Sequence, residues 1–220
     1  MKKKILIVSI LTVFVLLACF NSVYSGELKP LKLPEVKKDG GKSLMQALTD
    51  RKTTREFSNE KLPLQILSNL LWAAWGINRP QTGGRTAPSA VNWQEIEIYV
   101  AMQEGLYVYD AKAHALNPVL AKDIRAATGL QDFVKDVPVN FIYVADFSKI
   151  TASDQDKIFY SAADTGFISQ NVYLYCASEG LATVVRNLVD KPALAKTMNL
   201  KPEQRIILTQ SVGYPKKSGN

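Results

Sequence analysis

The sequence has 220 residues and a formal net charge of +7, which falls to +4 when the lysines at positions 2–4 are set aside. Such a mild excess of positive charge does not indicate a nucleic-acid partner. His114 is the one histidine, and Cys176 is the one cysteine beyond residue 25. An internal disulfide and a metal site rich in histidine or cysteine are therefore excluded, and we predict no metal.

The first 25 residues have the pattern of a secretory signal peptide, because lysines precede an apolar run from Ile5 to Phe20 and small residues follow. The run is shorter than the roughly 20 residues that a membrane-spanning helix needs. We expect residues 1–25 to be removed and the protein to be exported to the periplasm. Cys19 offers an alternative, because it resembles a bacterial lipoprotein processing site. Only a lipid on Cys19 would then hold the protein at a membrane.

The first part of the mature chain predicts an extended arm followed by two helices. Lysines, prolines and glycines over residues 26–42 are typical of an arm. Ser43 is suited to cap a helix over residues 44–52. Pro63 is suited to the start of a second helix, which is largely apolar and ends at Gly76.

A long loop and a β-hairpin are predicted next. Residues 78–86 are rich in turn-forming types. Alternating apolar residues over 96–102 predict a strand, and residues 106–110 complete a hairpin. His114 follows, and we expect its side chain to face solvent. A helix is predicted over residues 117–128, since the stretch opens with asparagine and proline and a glycine follows it.

The rest of the chain alternates between strands and helices. We predict a buried strand over 138–145, a long helix over 154–178, an extended segment over 181–185, a short helix over 191–198 and a last strand over 205–212. The buried stripe of the long helix is expected to include Ile158 and Ala162. Residues 43–220 should form one α+β domain with a central, mainly antiparallel sheet flanked by helices.

Residues 51–55 concentrate three cations and two hydroxyl groups, Arg51, Lys52, Thr53, Thr54 and Arg55. An arginine fork fits two oxygens of a phosphate, and a threonine hydroxyl adds a further contact. The segment therefore predicts an anion site. The alternative is a helix end, where cations stabilise the negative pole of the helix dipole.

Three further stretches gather polar residues: 88–94, 169–171 together with 180–187, and 213–217. Taken separately, each fits an ordinary turn, an exposed helix face or a solvated lysine tail. Their combination and order decide how we interpret them.

Together these motifs resemble the nitroreductase family. Its landmarks are Arg-x-Ser/Thr-x-Arg/Lys, Pro-Ser-x-x-Asn-x-Gln before the first strand, Gln-Asn inside a long helix, Gly-Leu after it and a closing Val-Gly-Tyr-Pro. They correspond here to residues 51–55, 88–94, 170–171, 180–183 and 212–215. The resemblance covers residues 43–216 and is closest to the branch that includes the dehydrogenase partner proteins of azoline-forming peptide biosynthesis. Position 182 departs from the pattern, with alanine where glycine is frequent.

The resemblance implies a nitroreductase-like fold and a homodimer with two flavin mononucleotides (FMN) at the subunit interface. It assigns cofactor contacts to Arg51, Lys52, Thr53, Arg55, Pro88, Ser89, Ala90, Asn92, Gln131, Val185, Arg186, Asn187 and Lys216. Residues 88–90 are expected to reach the flavin of the opposite subunit.

The resemblance also divides these contacts between the two ends of the flavin. The phosphate and ribityl end is assigned to Arg51, Lys52, Thr53 and Lys216. Arg55 is expected near the pyrimidine edge, where a cation stabilises the negative charge that collects at N1 and O2 on reduction. Gln131 is expected to hydrogen-bond this end. A backbone N–H within residues 185–187 is expected to hold N5.

The prediction is an exported FMN-dependent oxidoreductase. It should pass hydride or electrons through flavin N5 in ping-pong order to or from a small organic substrate of the nitro, quinone or ring-dehydrogenation class. No side chain is assigned as an obligatory acid or base, and the electron donor is unknown. Two alternatives stay open: an exported flavin- or ligand-binding protein without turnover, and a lipoprotein-anchored interaction domain without a working cofactor site.

Overall fold

The computed structural model describes residues 28–217, so the predicted signal peptide and Cys19 lie outside the described residues. This part of the chain contains nine strands and four α-helices. The strands are β1 (Leu31–Lys32), β2 (Ile77–Arg79), β3 (Gly84–Arg85), β4 (Ile96–Met102), β5 (Gly105–Asp110), β6 (Ala115–Leu120), β7 (Val139–Asp146), β8 (Ala182–Arg186) and β9 (Gln204–Gly213). The helices are α1 (Leu44–Asp50), α2 (Leu64–Trp75), α3 (Asp154–Glu179) and α4 (Lys191–Met198), with single 3-10 turns at Ala90–Asn92, Arg125–Thr128, Asp132–Lys135 and Phe147–Lys149.

Seven strands form one sheet in the order β1-β6-β5-β4-β7-β9-β8, and every neighbouring pair is antiparallel. β7 lies between β4 and β9, and its residues from Phe141 to Ala145 are fully buried. A strand covered on both faces needs such a near-continuous apolar run. The predicted α+β class with an antiparallel sheet flanked by helices is confirmed.

Helices α2 and α3 cover one face of the sheet, and α4 covers the other. Leu67 of α2 and Ile168 of α3 belong to the larger core together with Phe141. Leu194 of α4 belongs to the smaller core together with Ile142. Phe141 and Ile142 enter different cores because successive side chains of a strand point to opposite faces.

Helix α3 has 26 residues and is therefore about 39 Å long. The side chain of Ser153 caps its start, and Gly180 ends it with a φ of +70°, a conformation that glycine adopts without strain. The predicted buried stripe is wrong in the first turns, because Ile158 is exposed and Asp164 is buried. Neither α3 nor any other helix of the described chain combines the length and apolar character that crossing a membrane requires.

The helix predicted over residues 117–128 is wrong. Strand β6 occupies its first part and pairs with both β1 and β5. Pro118 lies opposite Tyr107, next to a register irregularity, which is a position where a strand admits proline. Pairing with β5 outweighs the local helix signal over residues 117–120, while β1 pairs only with the preceding residues 115 and 116, and only Arg125–Thr128 forms a 3-10 turn. The loop predicted over residues 78–86 contains part of the short β2–β3 hairpin.

The expectation that His114 faces solvent is also wrong. Its ring is half-buried, with Nε2 2.7 Å from Ser68 Oγ and Nδ1 3.0 Å from the Tyr109 hydroxyl. Ser68 Oγ donates to the carbonyl of Pro34, so Nε2 donates to Ser68 and Nδ1 accepts from Tyr109. Burial lowers the pKa of His114. The neutral ring therefore ties the N-terminal arm to α2 and β5.

Candidate functional site

Residues 51–55, called the basic segment below, leave α1 and run beside the edge strand β8. Arg51 is the C-terminal cap of α1, and its N–H donates to the carbonyl of Ala47 at 2.9 Å. The N–H of Thr54 donates to the carbonyl of Thr183 at 3.0 Å, which fixes the segment against β8. The helix-end explanation of the charges therefore applies to Arg51 alone, since the rest of the segment lies beyond α1.

Tyr173 of α3 connects three of the predicted site residues. Its hydroxyl lies 3.0 Å from Thr53 Oγ1 and accepts the N–H of Val185 at 3.0 Å. The guanidinium carbon of Arg51 lies 5.5 Å from the ring centroid, a distance at which a cation is attracted to the aromatic face. Sequence reasoning missed Tyr173. The available signal was a tyrosine in the apolar stretch 172–177 of the long helix, since such a hydroxyl needs a partner when it is buried.

The C-terminal residues 214–217 return to the basic segment. The N–H of Lys216 donates to the carbonyl of Glu56 at 3.1 Å. As a result, Lys52 and Lys216 line the same cavity, which has a volume of about 650 Å³. Its other walls include Thr54, Tyr173, Cys176 and residues 180–183, together with the ion pair of Lys42 with Asp50 and the acidic residue Glu56.

Five cations of this region have no ion-pair partner among residues 28–217, whereas Lys42, which lines the same cavity, pairs with Asp50. The ion pairs of that part of the chain involve other lysines and arginines. The unpaired cations are Arg51, Lys52, Arg55, Lys216 and Lys217. Like charges held close together repel each other, and a bound anion relieves that repulsion. The arrangement is suited to a phosphate group.

Arg55 lines a second cavity, of about 420 Å³, together with Phe57 and Phe133. The two aromatic rings stack with their centroids 5.6 Å apart. Lys216 lines both cavities, so they adjoin each other. Lys52 and Arg55 therefore line different cavities, although they are only three positions apart in the sequence.

The side chain of Arg186 lies inside the protein. It donates to the carbonyl of Thr128 at 2.8 Å and to Oδ1 of Asn140 at 3.1 Å. Burial without a carboxylate partner lowers its pKa to about 10. Gly129 passes so close to the guanidinium that a Cβ would overlap it. Gln131 follows and carries a buried Oε1 without a hydrogen-bond partner in the described chain.

Residues 88–94, called the Pro88 loop below, lie on an earlier part of α3. The N–H of Ala90 donates to Oδ2 of Asp164 at 2.9 Å. Asp164 precedes Tyr173 by nine residues, or about 13 Å along a helix. The structure thus keeps this loop away from the basic segment within one protomer.

The predicted site residues therefore fall into three groups. Around Tyr173 and the larger cavity the structure gathers Arg51, Lys52, Thr53, Val185 and Lys216, with Arg55 next to them. The side chains of Gln131 and Arg186 lie against Gly129, and Asn187 is exposed just after β8. The Pro88 loop forms a separate group with Pro88, Ser89, Ala90 and Asn92.

The fold and these motifs define an oxidoreductase of the nitroreductase type. The chain belongs to the nitroreductase family, because the sequence profile described as "Nitroreductase family" matches residues 48–214. A protein of Methanocaldococcus jannaschii with the name "Putative nitroreductase MJ1384" is 31% identical over 170 residues, which are 72% of this chain and 84% of the relative. The predicted family is confirmed.

Solved structures agree with this assignment. The crystal structure of a "putative nitroreductase" from Ralstonia eutropha JMP134 is 42% identical, with a TM-score of 0.83, and covers 87% of this chain and 91% of its own. A chain of the Escherichia coli microcin synthetase McbBCD complex, bound there to truncated pro-MccB17, has a TM-score of 0.66 at 19% identity over 88% of this chain and 80% of its own. At that identity the likeness shows the fold alone.

Proposed function

We propose that this oxidoreductase depends on FMN and passes hydride or electrons in ping-pong order to or from a small organic substrate with a nitro, quinone or dehydrogenated ring group. The observation that carries the proposal is the group of five cations without ion-pair partners that the basic segment and residues 214–217 bring to one edge of the sheet. An enzyme of this family that gathers such charge next to a cavity is suited to a phosphorylated redox cofactor.

The residues present fit FMN. Lys52 and Lys216 supply positive charge for the phosphate, and Thr53 adds a hydroxyl beside Arg51. A cavity of about 650 Å³ lies within the usual range for small-molecule sites. The unpartnered Oε1 of Gln131 is an acceptor suited to an N–H of the flavin pyrimidine.

FMN, when bound, supplies the hydride or electron transfer chemistry at its N5. The chain's own residues hold and orient it: Arg51, Lys52, Thr53 and Lys216 bind the phosphate and ribityl end. Arg55 stabilises the negative charge that develops at the pyrimidine edge. Because Tyr173 already takes the N–H of Val185, we assign the backbone contact with N5 to Arg186 or Asn187.

We propose a homodimer in which the Pro88 loop of one protomer completes the flavin site of the other. Apolar side chains beside this loop are exposed, with Val91 at 84%, Phe159 at 65% and Ile158 at 60%. Trp93 of the loop packs edge-on against Tyr160 of α3, with ring centroids 5.7 Å apart. An exposed apolar face of this kind supports a protein–protein interface at this position.

We also propose that the protein is exported, on the basis of the pattern in residues 1–25. Lipidation of Cys19 is the alternative route to the same compartment. Because reduced nicotinamides are scarce outside the cytoplasm, the proposed electron donor is of another kind, or the flavin oxidises a bound substrate.

The absorbance of the purified protein tests the cofactor. We expect a yellow protein whose flavin bands bleach with a reductant and return when a quinone or nitro compound is added. A colourless protein that takes up no added FMN overturns the proposal. Bound flavin that no donor or acceptor turns over supports a binding protein instead. Light scattering after size-exclusion chromatography tests the dimer, and a flavin-loaded monomer contradicts it.

A further inference from the structure

Glu95 is a buried carboxyl group without a conventional partner. It directly precedes β4, its side chain is 0% exposed, and neither carboxylate oxygen has a hydrogen-bond partner among the described residues. Asp164 of α3, 2% exposed, faces it. Ser161 and Thr165 lie on the same side of α3, and their hydroxyl oxygens are also buried without a partner.

Two ionised carboxylates are not stable together in such surroundings without a counter-ion. Within residues 28–217, no lysine or arginine forms an ion pair with Glu95 or Asp164. On the side of β7, Asp146 contacts the Glu95 backbone through its N–H, while its carboxylate accepts hydrogen bonds from Ser148. The Pro88 loop contributes no charged side chain.

A single proton shared by the carboxyl groups of Glu95 and Asp164 removes the repulsion between them. Burial, together with Asp164, raises the pKa of Glu95 to about 7, against the opposing effect of a backbone N–H and the nearby Ser161 hydroxyl, which favour the ionised form. Burial also raises the pKa of Asp164, against the opposing effect of the Ala90 N–H and Glu95. A protonated Glu95 can donate to one oxygen of Asp164. The other oxygen, Oδ2, already accepts the N–H of Ala90 at 2.9 Å.

The Pro88 loop needs such an anchor, because part of its backbone is strained. Val91, Asn92 and Gln94 have φ values of +50°, +58° and +50°. Residues other than glycine adopt positive φ values at a cost in conformational free energy. They keep this conformation only where contacts with the surrounding structure stabilise it. The bond from Ala90 to Asp164 ties the backbone of this loop to α3, beside the ring contact of Trp93 with Tyr160.

We propose that Glu95 is a positioning residue, whose proton holds the Asp164 carboxylate on the Ala90 amide and thereby keeps the Pro88 loop in its strained conformation. When Glu95 loses this proton, the two carboxylates repel each other and the loop is released. The effect on flavin rests on the proposed function, in which the loop contacts the flavin of the partner protomer. The effect on the conformation of the loop is independent of that function.

Hydrogen exchange at the Ala90 amide, corrected for the intrinsic rate, measures the loop, and FMN titration of the full protein measures the site. For the wild type, we expect both protection and FMN affinity to fall by on the order of tenfold between about pH 6 and pH 8.5, on either side of the Glu95 pKa. E95Q keeps a permanent donor and should hold both values constant. E97Q is the control, because Glu97 bonds Lys149 and Gln204, and it should retain the wild-type pH dependence.

D164N is a second variant if E95Q does not fold. Its amide oxygen still accepts from Ala90 but carries no charge, so protection should again be independent of pH. Wild-type protection that does not change with pH, or variants that keep the wild-type pH dependence, would overturn the inference. If no FMN binds at any pH while Ala90 follows the expected pattern, the proposed function fails and the inference about the loop stands.

Discussion

The hydroxyl of Tyr173 lies 3.0 Å from Oγ1 of Thr53, and this contact joins the C-terminal part of α3 to the basic segment. The same hydroxyl accepts the N–H of Val185, so α3, β8 and the segment after α1 meet at one atom. Two and a half turns earlier, α3 carries Asp164, which anchors the Pro88 loop. One rigid helix therefore positions both groups of residues that the proposed dimer needs at its flavin sites.

Removing the Tyr173 hydroxyl should cost both stability and affinity for FMN. In Y173F the N–H of Val185 loses its acceptor, so we expect the free energy of unfolding to fall by about 1–3 kcal/mol. FMN should also bind more weakly, because Thr53 loses its contact. Urea unfolding and FMN titration measure the two effects. Y160F is the matched control, because Tyr160 lies on the same helix with its side chain exposed, and it should change stability by less than about 0.5 kcal/mol. Equal losses in both variants would contradict this prediction.

The two arginines of the basic segment should have different effects on the flavin. R51A should mainly weaken FMN retention, by about 10- to 100-fold, since it removes a charge-assisted contact with the phosphate. R55A should retain more flavin but lower its reduction potential, because a cation near the pyrimidine edge favours the reduced, negatively charged form. FMN titration measures the loss of affinity. Redox titration of the bound flavin against a reference dye measures the change in reduction potential.

The control for the arginine pair is K122A, which removes an exposed cation in the segment after β6. It should leave both the affinity and the potential unchanged. If R51A and R55A loosened FMN to the same degree and neither moved the potential, the proposed division of the basic segment would be wrong.

Lys216 should distinguish FMN from riboflavin. Because its assigned partner is the phosphate, K216A should weaken FMN binding by about tenfold and leave riboflavin binding unchanged. The dependence of FMN affinity on salt should also become shallower, since one charge is lost. K201A removes an exposed lysine elsewhere and serves as the control. An equal loss for both ligands would place Lys216 away from the phosphate.

Acidification should loosen the N-terminal arm. Burial lowers the pKa of His114 below its ordinary value of 6.5. The contribution of the neutral His114 ring to stability is therefore complete above about pH 6.5. It is lost as the pH falls through the lower pKa that His114 has in the folded state. Exchange of the Leu33 amide, which donates to the His114 carbonyl at 3.2 Å, should rise on acidification relative to its intrinsic rate. H114Q keeps a donor and an acceptor but does not titrate, so it should remove the pH-dependent step. Leu33 exchange that follows the intrinsic rate alone would contradict this role.

Secondary structure was predictable where the regular spacing of apolar residues extended over a long segment, or where a residue typical of a helix end was unambiguous. The short helix over Lys191–Met198 was predicted with its observed bounds, because Pro192 marks its start. The structure adds that the Asp190 side chain caps this start and that Asn199 ends the helix. The interpretation failed around Pro118, where a proline typical of a first helical turn lies in a strand beside a register irregularity. No local signal reveals that β5 is available as a hydrogen-bonding partner for that strand.

The first turns of α3 show the same limit. Ile158 and Ala162 fit an apolar stripe, yet Ser161 and Asp164 are the buried residues, because the Pro88 loop rather than the apolar core covers this end of the helix. His114 was assigned to solvent because it follows a hairpin strand. Its actual partners, Ser68 and Tyr109, come from elements that the turn meets only in the folded chain.

By itself, the sequence determined the α+β class, the capped helices, the fully buried strand β7 and the concentration of charge in residues 51–55, since these depend on local period and composition. The order of its motifs also identified the family. Only the tertiary structure decided that Lys216 returns to the cavity of Lys52, that Thr53 meets Tyr173 across 120 positions, and that Glu95 faces Asp164. The physical reason is that burial and hydrogen-bond partners are set by packing between segments that are distant in the sequence. The local spacing of apolar residues does not encode this packing.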